Sequence, residues 1–345
     1  MSRSLAIAAL GALGALGAAA CASTAAAPDA PASAWTLGPP MPRRALDPGV
    51  TALGQELVVA GGFDVSPAGT PDISAEVDAL DTVPLGSSPA MWGRLPDAPV
   101  RWTDLNLAAI GATLYLAGGL EGPGGAAHGD TFALDPVDHT WHALAAMPPG
   151  EERGASGVVT APGKIYLLGG ASSAAAVATC LVYDTLTGTW NPQLLPPLPA
   201  PRAHPAAMRR SDGTLIVAGG FASADTSAPR GEAWALPPLG KAWIPVAPMF
   251  SPGDPAARGG CAYGVVLGQL VCAGGASGPA GSRVVQSYDP YNDVWTVVEP
   301  MPVARTGTPG AAIGGRLYVP GGADAPASAP TDTLYIYTPL SAAAR

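Results

Sequence analysis

From about residue 34 onward the chain alternates short apolar runs with clusters of Gly, Pro, Asp and Ser. Runs of four to six residues rich in Val, Leu, Ile and Tyr and bounded by turn residues predict β-strands, since a helix needs a longer run with a period near 3.6. One run recurs six times, each copy ending in a glycine pair: Gly61-Gly62, Gly118-Gly119, Gly169-Gly170, Gly219-Gly220, Gly274-Gly275 and Gly321-Gly322. The intervals between first glycines are 57, 51, 50, 55 and 47 residues. A fixed period of this size predicts a repeat architecture.

Each unit reads as four strand-like pieces. A small-residue run such as 154–160 comes first, and a turn leads into the glycine-pair strand. A variable loop follows, then a third run such as 180–184, and a Trp-bearing strand closes the unit, with Trp92, Trp141, Trp190, Trp243 and Trp295 in register. A single four-stranded sheet cannot bury both faces, whereas sheets stacked around an axis bury one another and leave only short edges. Crowding near the axis favours small residues, and the glycine pair allows a turn where a side chain would clash. A Trp supplies a broad apolar plate between neighbouring sheets.

The double glycine followed by spaced Tyr and Trp, as in Gly169-Gly170, Tyr183 and Trp190 or Gly274-Gly275, Tyr288 and Trp295, resembles the Kelch repeat. The resemblance covers roughly residues 34–338 and implies an all-β, six-bladed Kelch β-propeller with four antiparallel strands per blade. Ala133-Leu134, Ala233-Trp234 and Leu80 depart from the usual aromatic. The sixth unit lacks a Trp strand, and the opening segment Trp35-Thr36-Leu37 supplies one, so the N-terminal strand is expected to complete blade six. Closure of this kind removes exposed edges.

Residues 1–20 carry one charge, Arg3, and an apolar run ending in small residues, the layout of an export signal. Leu16-Gly17-Ala18-Ala19-Ala20-Cys21 resembles a bacterial lipobox, which implies lipidation of Cys21 and a bacterial envelope protein held to a membrane by its lipid anchor only. Plain secretion, as a soluble periplasmic or extracellular protein, and a retained anchor are the alternatives. Residues 21–33, rich in Ala, Ser, Thr and Pro, read as the lipid-attachment Cys and a flexible tether, 34–339 as the propeller, and 340–345 as a tail.

Composition narrows the partners. The net charge is −9 and only two Lys occur, Lys164 and Lys241, so nucleic acid is excluded as an expected partner. Charged residues are 12% and hydrophobic residues 48%, which argues for a packed core over a disordered chain. Cys180, Cys261 and Cys272 read as buried free thiols. With the 261–272 hairpin turning at Gly268-Gln269, Cys272 faces Val265 and the two sulfurs stand too far apart to bridge.

The chemistry-bearing feature is an Arg ahead of every glycine pair: Arg44, Arg101, Arg153, Arg202, Arg258 and Arg305, with leads of 17, 17, 16, 17, 16 and 16 residues. These are expected at the approach to each innermost strand, near one mouth of the channel. There they either tie carbonyls of adjacent blades or recognise an anionic group bidentately. Glu151, Glu152, Asp47, Asp104 and Asp254 are the nearby acids expected to relieve their mutual repulsion. No metal site is expected: His128, His139, His142 and His204 lack zinc-ligand spacing, and the Asp135–Asp138 and Asp289–Asp293 stretches read as turns. No cofactor and no catalytic set can be assembled. Copper radical oxidases share the repeat type, but no Tyr here stands beside a His. The expectation is a non-catalytic protein binding an unidentified protein, peptide or glycan, anionic ligands among them, through one face. The alternative is an enzyme acting on an anionic sugar at an Arg-lined mouth, similar to the exported Kelch sialic acid mutarotase.

Overall fold

The computed structural model describes residues 33–83, 89–173, 175–249, 257–277, 281–324 and 329–340. The expected export signal, Cys21, nearly all of the tether, Asp254 and most of the tail lie outside the described residues. Regular structure among the described residues is entirely β, and no helix there is long and apolar enough to cross a membrane.

Six antiparallel sheets have four strands each. The first is built from Gly49–Leu53, Glu56–Ala60, Val77–Asp81 and Trp92–Leu95. The second to fifth repeat this order, beginning with Leu107–Ile110, Gly157–Ala161, Ala206–Arg209 and Ala262–Val266. The sixth joins Ala311–Ile313, Arg316–Pro320 and Leu334–Tyr337 to the N-terminal strand Trp35–Leu37. In that pairing Trp35 faces Tyr337 and Leu37 faces Tyr335. The first strands of successive sheets touch in order, and that of the sixth touches that of the first.

Three sets of contacts repeat between neighbouring sheets. A Trp in or next to each outer strand donates its indole N–H to a carbonyl in the segment that follows the outer strand of the preceding sheet: Trp92 to Pro39, Trp141 to Pro96, Trp190 to Ala145, Trp243 to Pro196, Trp295 to Ala247 and Trp35 to Glu299, at 2.8–3.1 Å. The N–H groups of Gly62, Gly170, Gly220, Gly275 and Gly322 donate to carbonyls of Trp102, Arg202, Arg258, Arg305 and Ala45, at the approach to the next sheet. The first glycine of every pair is left-handed, φ +61° to +71°. A Cβ on Gly169 would lie 2.5 Å from the Arg202 carbonyl oxygen, so the close approach requires glycine. The third set is apolar. Met41, Met147, Met249 and Met301, with Ala98 and Leu198 in the other two units, are buried beside the glycine-pair strands, and Leu57, Leu116, Ile165, Ile216, Leu270 and Leu317 fill the inter-sheet core.

The cysteine hairpin differs from the expected register. Its turn is Leu267-Gly268, both left-handed at φ +50° and +82°, one residue earlier than Gly268-Gln269. A two-residue turn of this kind matches the strand twist. Cys272 therefore faces Tyr263 rather than Val265, and Cys261 becomes its diagonal neighbour in the same apolar cluster. The two thiols are in hydrogen-bond contact, which lowers the Cys261 pKa, while burial raises that of Cys272. Both are free.

Candidate functional site

Just before each innermost strand the backbone makes a left-handed kink, at Asp47, Asp104, Ala155, His204, Gly260 and Gly307, with φ between +49° and +66°. Five backbone hydrogen bonds run through all six residues. Asp47 N–H donates to Gly307, Asp104 to Asp47, Ala155 to Asp104, His204 to Ala155 and Gly260 to His204, at 2.8–3.1 Å. Asp and Gly tolerate this conformation better than most residues, which explains four of the six.

The kinks rim a central cavity of about 340 Å³ whose walls come from the innermost strands of all six sheets. Val50, Leu107, Val158, Ala207 and Ala311 give it apolar walls, interspersed with the polar side chains of Thr51, Ser156, Thr160, Arg209, Tyr263 and Thr308. The Tyr263 hydroxyl accepts the Val158 N–H at 3.0 Å, so this ring reaches from the fifth sheet to the third. Burial raises its pKa, holding it a phenol.

Three titratable side chains converge at the rim. His204 Nδ1 is 3.6 Å from an Asp104 carboxylate oxygen, whose other oxygen takes a 3.4 Å contact from the Thr103 hydroxyl. Burial, reinforced by the Asp104 charge, raises Asp47 to about 8, and burial raises Asp104 to about 7. Desolvation lowers His204, with Asp47 pulling the other way. Carboxyls titrating near neutrality beside an imidazole in a concave site can exchange protons or bind a cation.

The structure divides the six predicted arginines. Arg153, Arg202, Arg258 and Arg305 are buried, at the end of the sheets where the glycine pairs lie. Arg153 donates to Gly169 and Thr179 carbonyls and pairs with Glu151; Arg202 pairs with Glu232 at 3.0 Å and lies over Trp234; Arg305 donates to Gly321 and pairs with Asp324 at 3.0 Å. Arg258 reaches Ser282 and the Val284 carbonyl, and its Nε and second terminal nitrogen have no hydrogen-bond partner among the described residues. Arg44 and Arg101 are exposed, bonded to Asp64 and to the Ile73 carbonyl. The structural counterparts of the buried arginines in the first two units are Ala45 and Trp102, one residue later. Arg43 reaches Gly61 O and Asp78 in their place, and Trp102 stacks on His128 at 4.6 Å.

Of the expected neutralising acids, Glu151 pairs with an arginine, whereas Asp47 and Asp104 face the cavity. Glu152 caps Gly150 N–H. Asp135, Asp138 and His142 gather on an exposed turn, where Asp135 accepts the Val137 N–H and Asp138 bonds Thr140 and His142. His139 serves the same turn in a left-handed conformation. Asp47, Asp104 and His204 were visible only as neighbours of arginines. The signal that marks them is a turn-tolerant residue two positions after Ala45, Trp102, Arg153, Arg202, Arg258 and Arg305.

Comparison with known proteins gives a consistent picture. The profile of the KLHDC2/KLHL20/DRC7 Kelch-repeats domain matches residues 104–322. Kelch-like protein terF of Aspergillus terreus is 27% identical over 247 residues, 67% of this chain and 52% of its own length. The F-box protein AFR of Arabidopsis thaliana is 32% identical over 145 residues, 39% of this chain and 36% of its own. Human Kelch-like protein 33 is 33% identical over 136 residues, 37% of this chain and 24% of its own. The chain thus spans about half the length of the first relative and less of the others. The solved structure of YjhT superposes with a TM-score of 0.67 at 18% identity, over 86% of this chain and 95% of that one, a likeness of fold.

Proposed function

The chain belongs to the Kelch-repeat family, and from that premise we propose that it is a non-catalytic binding protein of the bacterial cell envelope, its six sheets forming the blades of one closed propeller. It recognises a protein, peptide or glycan through the face that carries the glycine-pair loops. The observation that carries this reading is the division of the arginines. Four buried guanidiniums and the chain of five backbone hydrogen bonds fix the bases of these loops, while Arg44 and Arg101 stay exposed on the same face. A rigid scaffold presenting variable loops is the usual arrangement of a binding surface. Lipidation of Cys21 belongs to the same reading; mass spectrometry of the mature N-terminus tests it, and an unmodified residue there removes the anchor.

Capture from envelope extract tests the face. Arg44→Glu with Arg101→Glu is expected to abolish capture. Leu186→Glu, in the Thr185–Gly188 turn at the opposite end of its sheet, is expected to leave capture intact; the reverse pattern assigns the other face.

A second reading, an enzyme acting on an anionic sugar, is favoured by the proton-exchanging groups at the cavity rim and by Arg209 in its wall. Anomer exchange on a sugar acid, lost in both Asp104→Asn and Arg209→Leu with the fold retained, establishes that reading instead.

A further inference from the structure

We propose that the central cavity binds a primary ammonium group carried on an apolar body, with the ammonium seated between Asp47 and Asp104 at the rim. The inference rests on the reading that the loop face is the binding end and names a ligand class for its centre.

The rim is chemically lopsided. Asp47 and Asp104 are adjacent on it and His204 follows beyond Ala155, while Gly260 and Gly307 leave space on the rest. Asp104 is the strained member. Its side chain is 8% exposed, yet its contacts are the 3.4 Å approach of Thr103 and the 3.6 Å approach of His204, both long for a charged hydrogen bond. Asp47 is half-buried, and its carboxylate accepts no hydrogen bond from a described residue. Carboxylates drawn partly out of water with few donors are costly to ionise, and a ligand that brings donors and positive charge relieves both deficits. An ammonium brings three donors and no acceptor. Below the rim, Val50, Leu107, Val158 and Ala207 offer apolar walls to the rest of such a molecule. An anion would meet two acids first. A compact metal fits less well: the one trio of potential ligands within 4.8 Å of one another among the described residues is Asp135, Asp138 and His142, not this one.

The proton balance follows. Near neutrality burial keeps the acids partly protonated. Seating an ammonium favours their charged forms, so protons leave the carboxyls for solvent as the ligand enters. The other groups facing the rim or wall are His204, Arg209, Cys261 and Tyr263; Ala155, Gly260 and Gly307 add no charge. The amine stays protonated to about pH 10. Affinity should therefore rise with pH between about 6 and 8.5.

Titration calorimetry on the full chain with n-hexylamine, 1-hexanol and hexanoate tests this. The amine should bind, the alcohol and the acid should not at matched concentration, and affinity should be about tenfold higher near pH 8.5 than near pH 6. Proton release, read from the buffer dependence of the heat, should accompany binding. Asp47→Asn alone should weaken binding, and Asp47→Asn with Asp104→Asn should abolish it; Asn tolerates the left-handed kink, so the fold is expected to survive. If the double variant fails to fold, the single variant and the alcohol comparison decide. A hexapeptide with a free or an acetylated N-terminus separates a small amine from a partner's amino terminus as the source. No amine binding, equal binding of hexanol, or affinity that ignores pH or Asp47→Asn overturns the proposal. Should these fail while envelope capture still depends on Arg44 and Arg101, this inference falls and the functional reading stands. Binding of a sugar acid lost in Arg209→Leu moves the cavity to the enzyme reading.

Discussion

At the scale of single residues the glycine pairs carry the most exact demand. Gly169 is left-handed and its missing Cβ is replaced by the Arg202 carbonyl of the next sheet. Gly54 is also left-handed, φ +62°, but nothing lies within 4 Å of its Cβ position. Both Ala substitutions pay the left-handed cost of about 1–2 kcal/mol. Gly169→Ala adds a clash with backbone, so its urea midpoint should fall well below that of Gly54→Ala; equal shifts would show that the close approach relaxes freely. The repeated glycines were legible in the sequence because no other residue type explains their spacing. The arginines were legible as a repeat but not as individuals. Whether a guanidinium at that position is buried depends on a one-residue offset, which puts Arg43 in contact with Gly61 O and leaves Arg44 outside.

At the scale of the element, the strand Trp35–Leu37 is short and two of its three residues are exposed. Its worth lies in what it joins. It covers the edge of Leu334–Tyr337, and Trp35 packs against Tyr335 and Tyr337 with ring centroids 6.3 and 5.2 Å away while its indole bonds Glu299. Truncating a buried Trp typically costs about 3–5 kcal/mol. Deleting residues 34–42 removes this plate together with Met41 and opens the sheet edge, so the melting temperature should drop sharply. An unchanged value would mean that the sixth sheet stands on three strands. The pairing was legible because the sixth unit lacks its Trp. The register of the cysteine hairpin was not, since a turn shifted by one residue changes which residues face each other by two, and both settings bury apolar side chains.

At the scale of the whole molecule, Asp47 and Asp104 come from different units and meet only because the six units are arranged around a common centre. Their folded pKa values lie above the unfolded value of about 4. Between that value and about 8 the folded protein therefore holds protons that the unfolded chain has released, and stability falls as pH rises. His204 acts oppositely: its lowered pKa makes the unfolded chain take up protons first, an effect confined to pH below about 6.5. Melting temperature should thus decline from about pH 6.5 to 8.5 in the wild type and decline less in Asp47→Asn with Asp104→Asn, at about 2–4 °C per kcal/mol. Parallel profiles would place both carboxyls in solvent.

The repeat, the four-stranded unit and the need for a strand from the far end of the chain are written in the linear pattern, because periodic glycine, tryptophan and apolar spacing are local properties of the chain. Three-dimensional packing settled which arginines are buried ties and which stand exposed, and that two acids and a histidine share one rim. Those outcomes depend on distances between residues 57 and 100 positions apart, and on the burial that sets their protonation, neither of which a linear pattern contains.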